Sequence, residues 1–141
     1  MYKFIVFDFD GTIANTIDSG IPIFNYMAKK HGFKEINDFE EVRNKSLTQF
    51  IKDHKISKIR FPFYLKELLM ELNKKIHTIK AYEGMGEVIK KLNKDFKLGI
   101  VSANSKENII SFLELNGLKY CFDFVYNYNL LLGKSKVFKK I

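Results

Sequence analysis

The chain has 141 residues, of which 46% are hydrophobic and 28% charged, and its formal net charge is +8. This composition is typical of a globular domain and excludes a disordered chain, while the single cysteine, Cys121, excludes an intrachain disulfide and a cysteine-rich zinc site. No apolar stretch is long enough to span a bilayer, so we expect a cytoplasmic protein without membrane contact. The lysines are scattered and only Arg43 and Arg60 are arginines, so no nucleic-acid partner is expected.

The first predicted element is an apolar strand at Phe4–Phe7, which runs into Asp8 and is broken by Gly11. Because all four residues are apolar, we expect the strand to be buried on both faces, as in a parallel sheet. Helical spacing of apolar residues then predicts a series of helices, and the clearest of these lies over residues 64–76. Residues 14–80 are therefore expected to form an inserted α-helical cap.

Helices and strands alternate in the rest of the chain. A helix is predicted over residues 85–92, a strand over 96–102, a helix that Ser105 caps and Gly117 ends, and a strand over 122–126. Strands that alternate with helices predict an α/β fold with a Rossmann-like parallel sheet. Residues 1–13 and 81–141 would form this core.

Two carboxylates follow the first predicted strand in the run Asp8-Phe9-Asp10-Gly11-Thr12. Sites in open α/β sheets form just outside the carboxyl ends of the strands. Asp8 and Asp10 can converge there on Mg²⁺, which prefers oxygen ligands, and a carboxylate can also attack phosphorus. A plain turn is the alternative reading, since Asp and Gly also favour turns.

A second polar group follows the next strand, where Ser102 precedes Ala103 and Asn104. A hydroxyl and backbone N–H groups that lead into a helix N-terminus can hold a phosphate, although an ordinary connecting loop is the alternative. Lys134 follows the third strand and a glycine, and its ammonium group would neutralise phosphate charge. Lys136 competes with Lys134 for this assignment.

These three groups resemble the motifs of the haloacid dehalogenase superfamily of phosphohydrolases. Residues 7–12 resemble the first motif, residues 100–104 are similar to the second, and Lys134 stands where the third places its lysine. The order of the motifs and the helical insertion between the first two resemble the phosphoglycolate phosphatase-like branch. The resemblance covers the whole chain.

The resemblance implies a role for each matching residue. Asp8 would be the nucleophile that becomes phosphorylated, and Asp10 would be the general acid and base. Ser102 would hydrogen-bond the phosphoryl group and Lys134 would hold its charge, while Gly11, Thr12, Ala103 and Asn104 would complete the substrate site. The Asp8 carboxylate and the backbone carbonyl of Asp10 would bind Mg²⁺.

The implied activity is hydrolysis of a small phosphorylated metabolite, a phosphate monoester, through an aspartyl-phosphate. A sugar phosphomutase of the same family is the enzymatic alternative, because it uses the same pair of aspartates. A non-catalytic remnant or binding module is the other alternative.

Family members also carry a fourth motif, Gly-Asp followed by another Asp, on a strand after the lysine. The chain ends seven residues after Lys134, so we expect a truncated protein or a decayed gene copy. Without that strand, Phe4–Phe7 would form an apolar sheet edge with unpaired backbone groups. A dimer or an exchanged strand would cover this edge.

Overall fold

The computed structural model describes residues 3–128. Its strands and helices follow in the order β1 (Phe4–Phe7), α1 (Thr16–His31), α2 (Glu40–Arg43), α3 (Leu47–Asp53), α4 (Phe61–Lys74), α5 (Met85–Leu92), β2 (Lys97–Ser102), α6 (Lys106–Leu115) and β3 (Phe124–Asn127). All strand pairs are parallel, in the spatial order β1-β2-β3. The α/β class and the parallel sheet predicted from the sequence are confirmed.

The burial of the strands follows from their places in the sheet. β2 lies between the other two strands and is buried at every residue after Lys97. The prediction that β1 is buried on both faces is wrong, because Phe4 is exposed and the other three residues are half-buried. Within residues 3–128, β1 pairs with β2 alone and is an edge strand. The apolar run therefore predicted the strand correctly but not its burial, which follows from its edge position within residues 3–128.

The sheet packs against α6 through large apolar side chains. Phe9, just after β1, and Phe112 of α6 are both fully buried, and their rings meet edge to face with centroids 5.1 Å apart. Between β2 and β3, Gly99 lies beside its register partner Phe124, and a Cβ atom at Gly99 would come within 2.1 Å of that ring. Glycine at this position lets the Phe124 ring lie directly on β2.

The helices α1 to α4 have a small core of their own. Its buried members are Phe24, Ala28, Ile36 and Ile56. Asn25 joins α1 to the following loop, because its side chain accepts a hydrogen bond from the Ile36 N–H at 2.8 Å and donates one to the Ile36 carbonyl at 2.9 Å. This segment is thus held together by apolar packing and by paired backbone groups.

The chain forms two compact units, Ile17–Lys74 and the residues on either side of it. The helical unit is shorter at both ends than the 14–80 segment expected from the sequence. Residues next to these boundaries hydrogen-bond within the sheet unit, where Asn15 donates to the Lys80 carbonyl and Tyr82 donates to the Ile13 carbonyl. A cap function for the helical unit stays a prediction. No helix within residues 3–128 is long and apolar enough to cross a membrane.

Candidate active site

The candidate site lies where β1 and β2 end. These strands are parallel and in register from Phe4 with Lys97 to Phe7 with Ile100, so their carboxyl ends lie side by side. The segment after β1 carries Asp8, Phe9 and Asp10, and the end of β2 carries Ser102. Parallel pairing thus brings together two groups that are far apart in the sequence.

A tight turn follows β1 and directs Asp10. The Phe9 carbonyl accepts hydrogen bonds from the N–H groups of Thr12, Ile13 and Ala14 at 3.0–3.3 Å. Gly11 has a φ of 74°, a left-handed conformation that favours glycine, and its N–H donates to the Ala14 carbonyl. The buried Phe9 side chain anchors this turn to the core. The sequence-predicted residues Gly11 and Thr12 therefore shape the backbone around Asp10.

The Asp10 carboxylate is held by the residues that end β2. The Ser102 hydroxyl donates to Asp10 Oδ2 at 3.2 Å, and Asn104 Nδ2 donates to Asp10 Oδ1 at 3.1 Å. The Thr16 side chain is a further hydrogen-bond partner of this carboxylate. Ser102, Asn104 and Thr16 are all buried, as polar groups with a defined hydrogen-bonding task usually are. Each Asp10 oxygen thus has its own donor.

The loop after β2 leads directly into α6. The Asn104 N–H donates to Ser102 Oγ at 3.0 Å, which closes a compact turn around Ala103. Ser105 then caps the helix, since its Oγ accepts from the Asn108 N–H at 3.3 Å. The cap predicted at Ser105 is confirmed, and it places the N-terminus of α6 next to the loop that holds Asp10.

The surroundings of Asp10 raise the pKa of its carboxyl above the ordinary value. Burial is the largest cause, because it disfavours the charged form, and the negative charge of Asp8 adds to it. The hydrogen bonds from Asn104 and Ser102 act in the opposite direction by stabilising the carboxylate. The net effect favours a carboxyl group that can hold a proton.

We expect Asp10→Asn to increase the free energy of unfolding of the sheet unit in metal-free buffer, by an amount that grows with pH. A raised pKa in the folded state means that the wild-type protein loses stability as pH rises from the ordinary carboxyl range through the folded pKa. Urea unfolding from pH 4 to pH 8 measures the difference, with the exposed Asp95→Asn as the matched control. A difference that is the same at every pH would contradict the assignment of the raised pKa to Asp10.

Among the site residues predicted from the sequence, the structure describes Asp8 but not Lys134. Asp8 lies beside Asp10, and its Oδ1 accepts a hydrogen bond from the Phe9 N–H at 2.9 Å. Lys134 lies outside the described residues, and its role stays a prediction. Sequence reasoning missed Thr16, which is buried at the start of α1; the only signal in the sequence was a hydroxyl residue six positions after Asp10.

The donor set around Asp8 and Asp10 suits Mg²⁺. Within residues 3–128, no three histidine, cysteine or acidic side chains lie together in a way that could hold a metal ion. Magnesium commonly binds through one or two carboxylates and keeps several water molecules, so a pair of adjacent aspartates is sufficient for it. The expectation that Asp8 and the backbone carbonyl of Asp10 would hold the ion stays a prediction.

Comparisons with known proteins agree with this architecture. The chain is 26% identical over 140 residues to the phosphoglycolate phosphatase of Synechococcus elongatus, a match that covers 97% of this chain and 66% of that protein. A haloacid dehalogenase-like hydrolase from Streptococcus pneumoniae superposes with a TM-score of 0.71 at 17% identity, over 91% of this chain and 62% of that one. CbbY from Rhodobacter sphaeroides, solved in complex with phosphate, superposes with a TM-score of 0.62 at 17% identity, over 89% and 63%.

The chain spans just under two thirds of the length of these relatives. The two structural similarities show a shared fold. The model of the haloacid dehalogenase-like hydrolase family matches residues 5–141, which is nearly the whole chain. The chain therefore belongs to the haloacid dehalogenase-like hydrolase family.

Proposed function

We propose that this protein hydrolyses small phosphate monoesters, with Asp8 as the nucleophile and Asp10 as the general acid and base. The observation that carries the proposal is the Asp10 carboxylate, which is held by Ser102 and Asn104 beside Asp8 at the carboxyl ends of β1 and β2. Two neighbouring carboxyl groups can take different roles when one of them has a raised pKa. The group that holds a proton can act as the acid, and the ionised group can act as the nucleophile.

The proposed reaction has two steps. In the first, an Asp8 carboxylate oxygen attacks phosphorus, the bond from phosphorus to the ester oxygen breaks, and Asp10 gives its proton to the leaving oxygen. In the second, Asp10 takes a proton from water, the water oxygen attacks phosphorus, and the bond from phosphorus to the Asp8 oxygen breaks. Free phosphate leaves, and both carboxyl groups return to their starting states.

Several groups would stabilise the charge that develops on the phosphoryl oxygens. Asp8 and the backbone carbonyl of Asp10 would hold Mg²⁺, which would supply positive charge to offset that of the phosphoryl group. The Ser102 hydroxyl and the N–H groups of the Ala103 and Asn104 loop, which lead into α6, would donate to the phosphoryl group. We assign the remaining positive charge to Lys134. Ser102 would exchange its hydrogen bond to Asp10 for one to the substrate.

Two of the relatives favour a small phosphorylated substrate. The Synechococcus protein is named a phosphoglycolate phosphatase, and CbbY was solved with phosphate bound. We infer that the present substrate belongs to the same class of small phosphate monoesters and that the helical unit Ile17–Lys74 acts as the cap that selects it. Phosphoglycolate is therefore the first substrate to test.

The test is a product assay on the full chain with Mg²⁺, followed by phosphorus NMR. Phosphoglycolate, para-nitrophenyl phosphate and a hexose phosphate are the substrates, and we expect free phosphate that disappears with a chelator and returns with Mg²⁺. Conversion of the hexose phosphate into an isomer would instead identify a phosphomutase. A folded sample that releases no phosphate and acquires no phosphoryl group on Asp8 would contradict the proposal and favour a non-catalytic chain.

A further inference from the structure

The side-chain amide of Asn104 lies between Asp10 and the first turn of α6. Both its NH₂ group and its oxygen form hydrogen bonds. Asn104 Nδ2 donates to Asp10 Oδ1 at 3.1 Å. Asn104 Oδ1 accepts two hydrogen bonds, one from the Ser105 N–H at 2.8 Å and one from Asn108 Nδ2 at 3.3 Å. Only 3% of Asn104 is exposed, so water does not compete freely for these contacts.

These contacts fix the direction of the Asn104 amide. If the amide turned by half a rotation, its oxygen would face the Asp10 carboxylate, where two acceptors repel each other. Its NH₂ group would at the same time face two N–H donors, those of Ser105 and Asn108. The Ser105 donor belongs to the backbone and is present whatever the side chain. Of the two donors, only the side-chain amide of Asn108 can be removed by a substitution.

We propose that Asn108 is a positioning residue for Asp10. By donating to Asn104 Oδ1, it keeps Asn104 Nδ2 directed at Asp10 and so fixes the direction of the Asp10 carboxylate. The consequence for turnover rests on the proposed function, whereas the orientation of the amide does not. Asn108 acts through Asn104 and does not itself contact Asp10 in the hydrogen bonds described above.

A purely structural role for Asn108 makes a different prediction. Asn108 is the third residue of α6, and its backbone N–H bonds to the capping Ser105 Oγ. Any residue supplies that N–H, so the helix cap does not need the asparagine side chain. An aspartate of the same shape would suit this first turn better, because its negative charge complements the helix dipole and it can accept from the Ser105 N–H as in a capping box.

Asn108→Asp therefore separates the two roles. The substitution keeps the shape and favours the helix, but it replaces the donor to Asn104 with an acceptor. We expect the Asn104 amide to turn its NH₂ group toward the new carboxylate and away from Asp10. The first turn of α6 should keep or gain stability, so the protein should remain folded. Asn108→Ala, which removes the donor and adds no acceptor, should weaken the contact with Asp10 without reversing it.

The experiment is NMR on the isotope-labelled full chain, which needs no turnover. In the wild type, we expect nuclear Overhauser cross-peaks from the Asn104 side-chain NH₂ to the Asp10 Hβ protons. In Asn108→Asp these should be lost, because turning the amide moves its NH₂ group out of hydrogen-bond distance of Asp10, while cross-peaks to the Hβ protons of residue 108 appear. Asn116→Asp is the matched control, because Asn116 Nδ2 donates to the Phe112 carbonyl at the other end of α6.

Unchanged cross-peaks between Asn104 and Asp10 in folded Asn108→Asp would overturn the inference, whatever the activity. With a turned amide, we further expect kcat to fall about tenfold with little change in KM, because general acid–base catalysis depends on the position of the group. A turned amide in a protein that has no turnover even as wild type would support the positioning role and count against the proposed function. The two failures can therefore be told apart.

Discussion

Asp8→Asn is expected to reduce phosphate release by about 10⁴-fold or more, because the neutral amide is a poor nucleophile and the proposed covalent step cannot occur. The backbone at this position keeps its contacts, and asparagine has nearly the same shape, so the fold should survive. The measurement is phosphate release from phosphoglycolate together with mass spectrometry of the chain, to detect a phosphoryl group on Asp8 in the wild type.

Asp95→Asn is the control for this substitution. Asp95 is exposed and lies just before β2 begins, at the opposite end of that strand from Ser102, and the chemical change is identical. We expect its rate to remain within about twofold of the wild type. If Asp8→Asn kept the wild-type rate, Asp8 would not be the nucleophile and the proposed two-step reaction would be wrong.

Phe9→Ala is expected to destabilise the sheet unit by about 3–5 kcal/mol, the usual effect of removing a buried aromatic ring. Phe9 is fully buried, its ring packs on Phe112, and its carbonyl accepts the three hydrogen bonds that form the turn before α1. Phe9 lies between the two proposed catalytic aspartates, so the packing is lost at the centre of the candidate site. Hydrogen exchange of the β2 amides measures the change in the free energy of opening.

The matched control for Phe9 is Phe63→Ala in the helical unit. Phe63 is 73% exposed, so the same loss of a ring removes little buried surface. We expect this control to change the exchange of the β2 amides by less than about 0.5 kcal/mol. If Phe9→Ala had no larger effect than Phe63→Ala, the Phe9 ring would not anchor the turn that carries Asp10.

The structure shows a contact of Asn104 that the sequence did not predict. The sequence places Asn104 with the substrate-binding residues, whereas in the structure its NH₂ group donates to Asp10. Asparagine has two amide hydrogens, so a contact with substrate remains compatible with this geometry. The hydrogen bond to Asp10 uses one of them. The residue types in this loop indicate that it can bind an anion. They do not indicate whether that anion is the phosphoryl group of a substrate or the carboxylate of Asp10.

The sequence by itself determined the elements of this protein and the places of its candidate motifs. Apolar runs predicted β1 and β2, Ser105 predicted the start of α6, and Gly117 predicted its end. These features depend on interactions between residues near each other in the chain, such as side-chain caps and backbone conformation. Local patterns are therefore sufficient to find them.

Only the tertiary structure decided how the candidate site is assembled. Ser102 and Asn104 contact Asp10 across 92 and 94 residues of sequence, and Thr16 and Asn108 join the same network. The half-burial of β1 was also decided at this level, because it depends on which strands lie beside it. Parallel pairing sets which strand ends meet, and the direction of each hydrogen bond depends on side-chain orientations that packing fixes. Neither is encoded in the spacing of residues along the chain.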